Sequence, residues 1–263
     1  MTKKKAMTSE KASYVKLKGH RDAREFAECL GIGKEFKSDP RAKKDVIDLE
    51  GYSYSVKSGE KKWQIFLYGE TRFEEDYTFK SMNGLGELFL KCIESFPKLR
   101  NDYLKNKQLY KMRLQKPMRE LCQKLKEKRL LGAFLDKSIF NSGEVDFLVV
   151  KEGRFFHIFW NRDVVEVLLK NYEVENSKAR GKGQIDDQKV VFKVSGKTHG
   201  EIEMRNDSEI HYREVKFWLD RNLTLNLLKS EIKKVKALTE RIFLYGKAVN
   251  KLSKYKIKLK YEE

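Results

Sequence analysis

An α+β fold, with helices set around a mixed sheet, is what this chain of 263 residues predicts. Three observations point there. Leu85, Leu88, Phe89, Cys92, Ile93 and Phe96 recur at helical spacing, whereas other segments alternate or run together in the manner of strands. The strand-like runs gather in the second half, so there is no regular βαβ alternation. Apolar residues make up 40 % of the chain and aromatic residues 12 %, enough for a sizeable core and too many for a disordered chain.

The elements follow in order. Residues 1–13 are polar and are expected to fray. His20 to Leu30 reads as a short helix stopped by Gly31-Ile32-Gly33, and Asp45 to Leu67 as strands separated by turn residues. The helix opening at Leu85 has one apolar face and ends at Pro97. Asn101 to Leu130 reads as helix, broken or restarted at Pro117. Strands are expected at Glu144–Val150, Arg154–Phe159, Lys189–Val194, Gly200–Arg205 and Tyr212–Leu219. One helix, Asp163–Tyr172, is inserted among them with Asn161 or Asp163 as cap. Glu173–Gln188 reads as a basic loop. A helix is expected from Thr224 to near Gly246, and then a strand with Lys254, Lys256, Lys258 and Lys260 on one face.

Lys and Arg number 57 against 39 Asp and Glu, a net charge of +18. The excess is concentrated: ten basic and three acidic residues lie in Asn101–Leu130, and eleven and two in Lys229–Lys260. Such clustering points to a polyanionic partner, with nucleic acid foremost. No apolar stretch follows Met1-Thr2-Lys3-Lys4-Lys5-Ala6, and no window approaches about eighteen apolar residues, so neither a signal peptide nor a membrane span is expected. Cys29, Cys92 and Cys122 have no metal spacing and read as reduced thiols of a cytoplasmic protein.

The candidate chemistry lies in Lys44 to Gly59. Two β-rich runs flank a turn at Asp48-Leu49-Glu50-Gly51, a hairpin signal. With Leu49-Glu50-Gly51 as the loop, Asp48 faces Tyr52 and Asp45 lies across from Ser55, with Lys57 a diagonal step away on the same face. Asp45 suits Mg²⁺, which prefers carboxylate and phosphate oxygens. Lys57 suits the positioning or deprotonation of an attacking water.

This layout resembles the PD-(D/E)xK nucleases, and the size and charge are similar to those of a type II restriction endonuclease. Asp45 matches the first acid of the motif, with Lys44 in place of the preceding proline, and Lys57 matches the lysine. Ser55 replaces the usual Asp or Glu. A variant of the family carries SxK with its carboxylate moved to a following helix, and Glu70 follows Lys57 after twelve residues, with Glu74 and Glu75 close by. The resemblance implies a restriction-endonuclease-like mixed sheet flanked by helices, with Asp45, Ser55, Lys57 and Glu70 catalytic and Asp45 and Glu70 holding Mg²⁺. It implies hydrolysis of phosphodiesters at a short sequence in double-stranded DNA, functional pairing with a DNA methyltransferase, and an assembly in which a homodimer is allowed. Residues 1–130 would then hold the catalytic core with its basic helices, and 131–263 the strand-rich recognition half, within one continuous domain.

In that second half, the turn at Arg205, Asn206 and Asp207 offers groups that read guanine, adenine and cytosine edges. Lys178, Arg180 and Lys182 in their glycine-rich loop suit phosphate contacts. A rival site is the textual ExK at Glu214 and Lys216, with Asp146 or Asp207 as partner acid, although neither spacing is a good match. His20, His157, His199 and His211 are scattered, and His157 reads as a packed strand histidine. Two further readings stand beside the endonuclease: a non-enzymatic nucleic-acid-binding protein, and a repair or recombination nuclease that selects DNA shape.

Overall fold

The computed structural model describes residues 9–33, 35–179, 181 and 183–252. The chain divides into two compact units that it visits in turn. The first is formed by Met1–Glu60, Ile139–Val167 and Leu225–Glu263, and the second by Lys61–Ser138 and Leu168–Thr224. The chain starts in the first unit with α1 (Ser9–Cys29), β1 (Lys37–Asp39), β2 (Lys44–Ile47) and β3 (Ser53–Lys57). It enters the second with β4 (Lys62–Tyr68), α2 (Glu70–Glu75), α3 (Tyr77–Ser81), α4 (Leu85–Glu94), α5 (Arg100–Lys105), α6 (Lys107–Leu125) and α7 (Lys128–Phe140). It returns through β5 (Phe147–Glu152), β6 (Phe155–Trp160) and α8 (Asn161–Asn171), then adds β7 (Glu173–Asn176), β8 (Lys189–Val194), β9 (Lys197–Met204) and β10 (Val215–Asp220) to the second. It ends in the first with α9 (Arg221–Glu231), β11 (Val235–Ala237), β12 (Ile242–Tyr245) and α10 (Lys247–Lys251). Three of the passages between units fall inside α7, α8 and α9. The division expected at residues 130 and 131 falls inside α7 as well.

The architecture is mixed α and β, as expected, with one sheet in each unit. In the first unit the strand order is β1-β2-β3-β5-β6-β12-β11. β3 runs parallel to β5 and β6 parallel to β12, and the other neighbours are antiparallel. Side chains alternate across the pleat, and α1 covers the face that carries Val46, Tyr54, Phe147, Val149, Phe156, Ile158, Ile242 and Leu244. Phe26 of α1 anchors it, with ring centroids 5.3 Å from Tyr54 and 5.3 Å from Phe156. Truncating such a fully buried ring to alanine costs about 3–5 kcal/mol. The opposite face carries Asp45, Ser53, Ser55 and Lys57.

α1 begins eleven residues before the expected His20, at Ser9, because Glu10, Lys11, Ala12 and Lys16 to Lys18 all favour helix. It stops where Gly31 and Gly33 take φ of 76° and 52°, a left-handed conformation that costs glycine little.

The second unit is a five-stranded antiparallel sheet, β4-β10-β9-β8-β7. One face packs on helices through an aromatic cluster in which Phe66, Phe73, Phe79, Phe89, Phe134, Phe192 and Phe217 stack or meet edge to face. A register shift between Phe217 and Trp218 opposite β4 lets both Ile65 and Phe66 be buried, which strict alternation forbids.

Three expectations change. The helix break lies at Asn106, whose Oδ1 caps α6 by accepting the Leu109 N–H at 3.2 Å, and α6 continues through Pro117. Leu114, Met118, Leu121 and Leu125 are buried along that helix, and their burial offsets the hydrogen bond that proline removes. The helix expected from Thr224 to Gly246 ends at Glu231. Ile242-Phe243-Leu244-Tyr245 instead adds a strand alongside β6, because β-branched and aromatic residues fit a pleated, buried position. Glu173–Asn176, expected as loop, pairs with β8 at the edge of the second sheet. The strand expected at 254–261 lies outside the described residues.

Candidate active site

Asp48 sets the hairpin. Its N–H donates to the Tyr52 carbonyl at 2.9 Å, which closes the three-residue loop Leu49-Glu50-Gly51. Gly51 has φ of 88°, where other residues are strained. The Asp48 carboxylate accepts the Glu50 and Tyr52 N–H groups at 3.0 and 2.9 Å on Oδ1, and the Tyr54 hydroxyl at 2.8 Å on Oδ2. Residue pairing then runs Ile47 with Ser53 and Val46 with Tyr54, which is the register expected from the turn residues.

One step further along, Asp45 meets Ser55. Its Oδ2 accepts the Val56 N–H at 2.7 Å and the Ser55 hydroxyl at 3.3 Å. The carboxylate thus replaces a main-chain acceptor where β2 leaves β3. Among the described residues its second oxygen accepts no hydrogen bond. Lys57 follows on the same face, half-buried and without an ion pair among the described residues.

A second aspartate mirrors the first across β3. Asp146, just ahead of β5, accepts the Ser53 N–H at 2.9 Å on Oδ2, and the Ser53 hydroxyl lies 2.8 Å from the same oxygen. β3 therefore holds one aspartate on each side, each through a serine hydroxyl and a backbone N–H. Two strand spacings and two residues of rise separate the two Cα positions by about 12 Å. Sequence spacing does not reveal the Asp146 pairing, because β3 and β5 meet in parallel between residues 93 positions apart. Its one local signal is an acid directly before the apolar run Phe147-Leu148-Val149-Val150.

Glu70 has partners of its own in the second unit. It opens α2 in the second unit, where its Oε2 lies 3.2 Å from the Arg213 guanidinium. Glu74 and Glu75 are exposed on the same helix. Within the first unit, the structure brings together Asp45, Ser55 and Lys57. Of the two carboxylates expected to hold Mg²⁺, Asp45 has an open oxygen and Glu70 is already bound by arginine.

The expected recognition turn is internally paired. Arg205 lies 3.2 Å from Asp207, and its N–H donates to the Glu214 carbonyl at 2.9 Å. Asn206 is half-buried beside them. The connection continues to Val215, held by Arg100–Glu209 at 3.6 Å and by a hydrogen bond from the Tyr212 hydroxyl to the Pro97 carbonyl at 2.9 Å. Lys178 is exposed in its loop, while Arg180 and Lys182 lie outside the described residues.

In the rival ExK, the Glu214 carboxylate lies 2.9 Å from His211 Nδ1, and the Glu214 N–H donates to the His211 carbonyl at 2.9 Å. Lys216 joins a ladder on the open face of the second sheet, 3.7 Å from Glu203, which also meets Lys189 at 2.6 Å. Burial pushes the Lys216 ammonium below its ordinary range, against the pull of Glu203. Alternating Lys and Glu on neighbouring strands make such a ladder without any catalytic purpose. His157 is buried in the first unit, with Nδ1 3.0 Å from the Tyr245 hydroxyl and Nε2 3.2 Å from Glu152.

Charge is shared evenly. The first unit has 28 basic and 19 acidic residues (28 − 19 = +9) and the second 29 and 20 (29 − 20 = +9). On α6, Lys116 and Arg113 are exposed with no carboxylate at ion-pair distance among the described residues, while Arg119 meets Asp187 at 3.4 Å. No helix of the described residues is long and apolar enough to cross a membrane. Comparison of the chain with family models, with curated proteins and with solved structures gives no match.

Proposed function

We propose that this protein is a Mg²⁺-dependent nuclease acting on DNA, with its reacting groups on the β2–β3 hairpin. The observation that carries the reading is the hairpin register, which sets Asp45 against Ser55 with Lys57 on the same face. Asp45 would hold the metal through the oxygen that no donor occupies, and a metal so held stabilises charge on the phosphoryl oxygens during in-line displacement. Ser55 and the Val56 N–H fix the other carboxylate oxygen and so orient the group. The Lys57 ammonium would place the attacking water or offset developing negative charge. The +9 of each unit supports phosphate contact along the substrate.

A second reading has its own support. Because Asp45 also closes the hairpin and Glu70 pairs with Arg213, the same residues serve a protein that binds nucleic acid without cutting it. Plasmid incubated with Mg²⁺ separates the two. Under the nuclease reading Asp45→Ala and Lys57→Ala remove cleavage while retaining gel-shift binding; cleavage that survives both substitutions refutes the site. Discrete fragments would add sequence specificity to the reading, and nicks or smears would favour selection by shape.

A further inference from the structure

Trp160 ends β6 and differs from the other two tryptophans. Trp63 and Trp218 are 3 % and 4 % exposed, whereas Trp160 is half-buried, with part of its ring against the core of the first unit. Three cations surround that ring. The Arg162 guanidinium carbon lies 5.3 Å from the ring centroid, the Lys247 ammonium 5.1 Å and the Lys251 ammonium 4.7 Å. They converge because Arg162 opens the helix that follows Trp160, while Lys247 and Lys251 stand one turn apart on α10.

A structural account covers part of this. Each cation gains from the negative face of the indole. Asp163 also caps α10, accepting the Lys247 N–H at 2.8 Å and lying 3.6 Å from its ammonium. That leaves one carboxylate against three cations. Arg162 and Lys251 have no ion-pair partner among the described residues, so like charges are held together on one aromatic surface. A phosphate would draw the cations from the ring and relieve the repulsion, and a planar base would take the indole surface they now cover. An unpaired nucleotide supplies both, whereas a duplex hides its base faces in the stack.

We propose that Trp160, Arg162, Lys247 and Lys251 form a contact site for an unpaired nucleotide of a nucleic-acid strand, with the base against the indole and the phosphate among the cations. The site rests on the nucleic-acid-binding half of the proposed function and is independent of cleavage. Gly246 fixes the approach of α10: its φ is 56°, and a Cβ there would lie 2.5 Å from Asp163 Oδ2 and 2.6 Å from Ile232.

Trp160 provides its own reporter, since the other two indoles are buried. In EDTA, a short oligothymidine should quench the emission of the wild-type protein. Trp160→Phe should lose that quenching and bind roughly tenfold more weakly by anisotropy of a labelled strand. Combined Arg162→Gln, Lys247→Gln and Lys251→Gln replaces exposed side chains only, and should lower the slope of log K against log salt by about 2. Unchanged emission at saturation, equal quenching by a duplex, or an unchanged salt slope in the triple variant would each overturn the site. Absence of cleavage by the wild type in Mg²⁺ would instead refute the nuclease reading and leave this contact standing.

Discussion

Replacing Asp48 by alanine tests the hairpin on which the proposed site depends. Asp48 is 6 % exposed, and its carboxylate satisfies two turn N–H groups and the hydroxyl of Tyr54, which is fully buried. After truncation the two N–H groups lie near the surface and can turn to water, at a cost of about 0.5–1 kcal/mol each. The Tyr54 hydroxyl lies in the core, and losing the Asp48 acceptor there costs about 1–3 kcal/mol. The total is about 3 kcal/mol, with Asp48→Asn losing less because it keeps an acceptor. Urea unfolding at neutral pH followed by circular dichroism measures it. Tyr54→Phe removes the hydroxyl that Asp48 accepts, so the two losses share one bond and the double variant should be more stable than the sum of the single losses by about 1 kcal/mol. A loss below about 1 kcal/mol for Asp48→Ala, or strict additivity with Tyr54→Phe, would show that the carboxylate does not hold the turn.

Other substitutions probe the second unit and the charged networks. The Asp76 side chain is 6 % exposed and meets the Lys137 side chain, 8 % exposed, at 3.0 Å and Arg72 at 3.0 Å, so Lys137→Met should cost about 3 kcal/mol by thermal unfolding. Burial alone would raise the Asp76 carboxyl, but Lys137 and Arg72 outweigh it and hold it below its ordinary 3.8. Its contribution is therefore present above that pH and fades as pH falls through the lowered value, so acidification should cost the wild type more than Lys137→Met. Gly200→Ala places a Cβ 2.6 Å from Leu219 and 2.7 Å from the Trp218 carbonyl, and should destabilise by about 1–3 kcal/mol in the same assay. Glu70→Ala releases Arg213 and, because the Glu70 carboxylate is already engaged, should leave plasmid cleavage intact; loss of cleavage would return Glu70 to the metal site.

What could be read from the residues follows the range of the interactions involved. The β2–β3 hairpin is legible because Asp48 and Gly51 fix it locally, and the register carries Asp45 to Ser55 without help from elsewhere. β8 is legible for a similar reason, since Lys189–Val194 is a self-contained β-rich run. The interleaving of the two units is not, because the pairing of β3 with β5 joins segments separated by the whole of β4 through α7. β12 reads as helix when Ile242 and Tyr245 are counted at i and i+3, and only its place beside β6 makes it a strand. The Arg205–Asp207 pair shows the same limit at the site: residue types suited to base edges had already found each other.

On the proposed function, Asp45 and Lys57 serve cleavage of phosphodiesters with Mg²⁺. Single-turnover cleavage of supercoiled plasmid tests it most directly, with wild-type protein in Mg²⁺ and in EDTA beside Asp45→Asn and Lys57→Met. Strand scission is expected from the wild type in Mg²⁺ alone, and none from either variant at equal DNA occupancy. Intact plasmid under the wild type in Mg²⁺, or scission undiminished in Asp45→Asn, would contradict it.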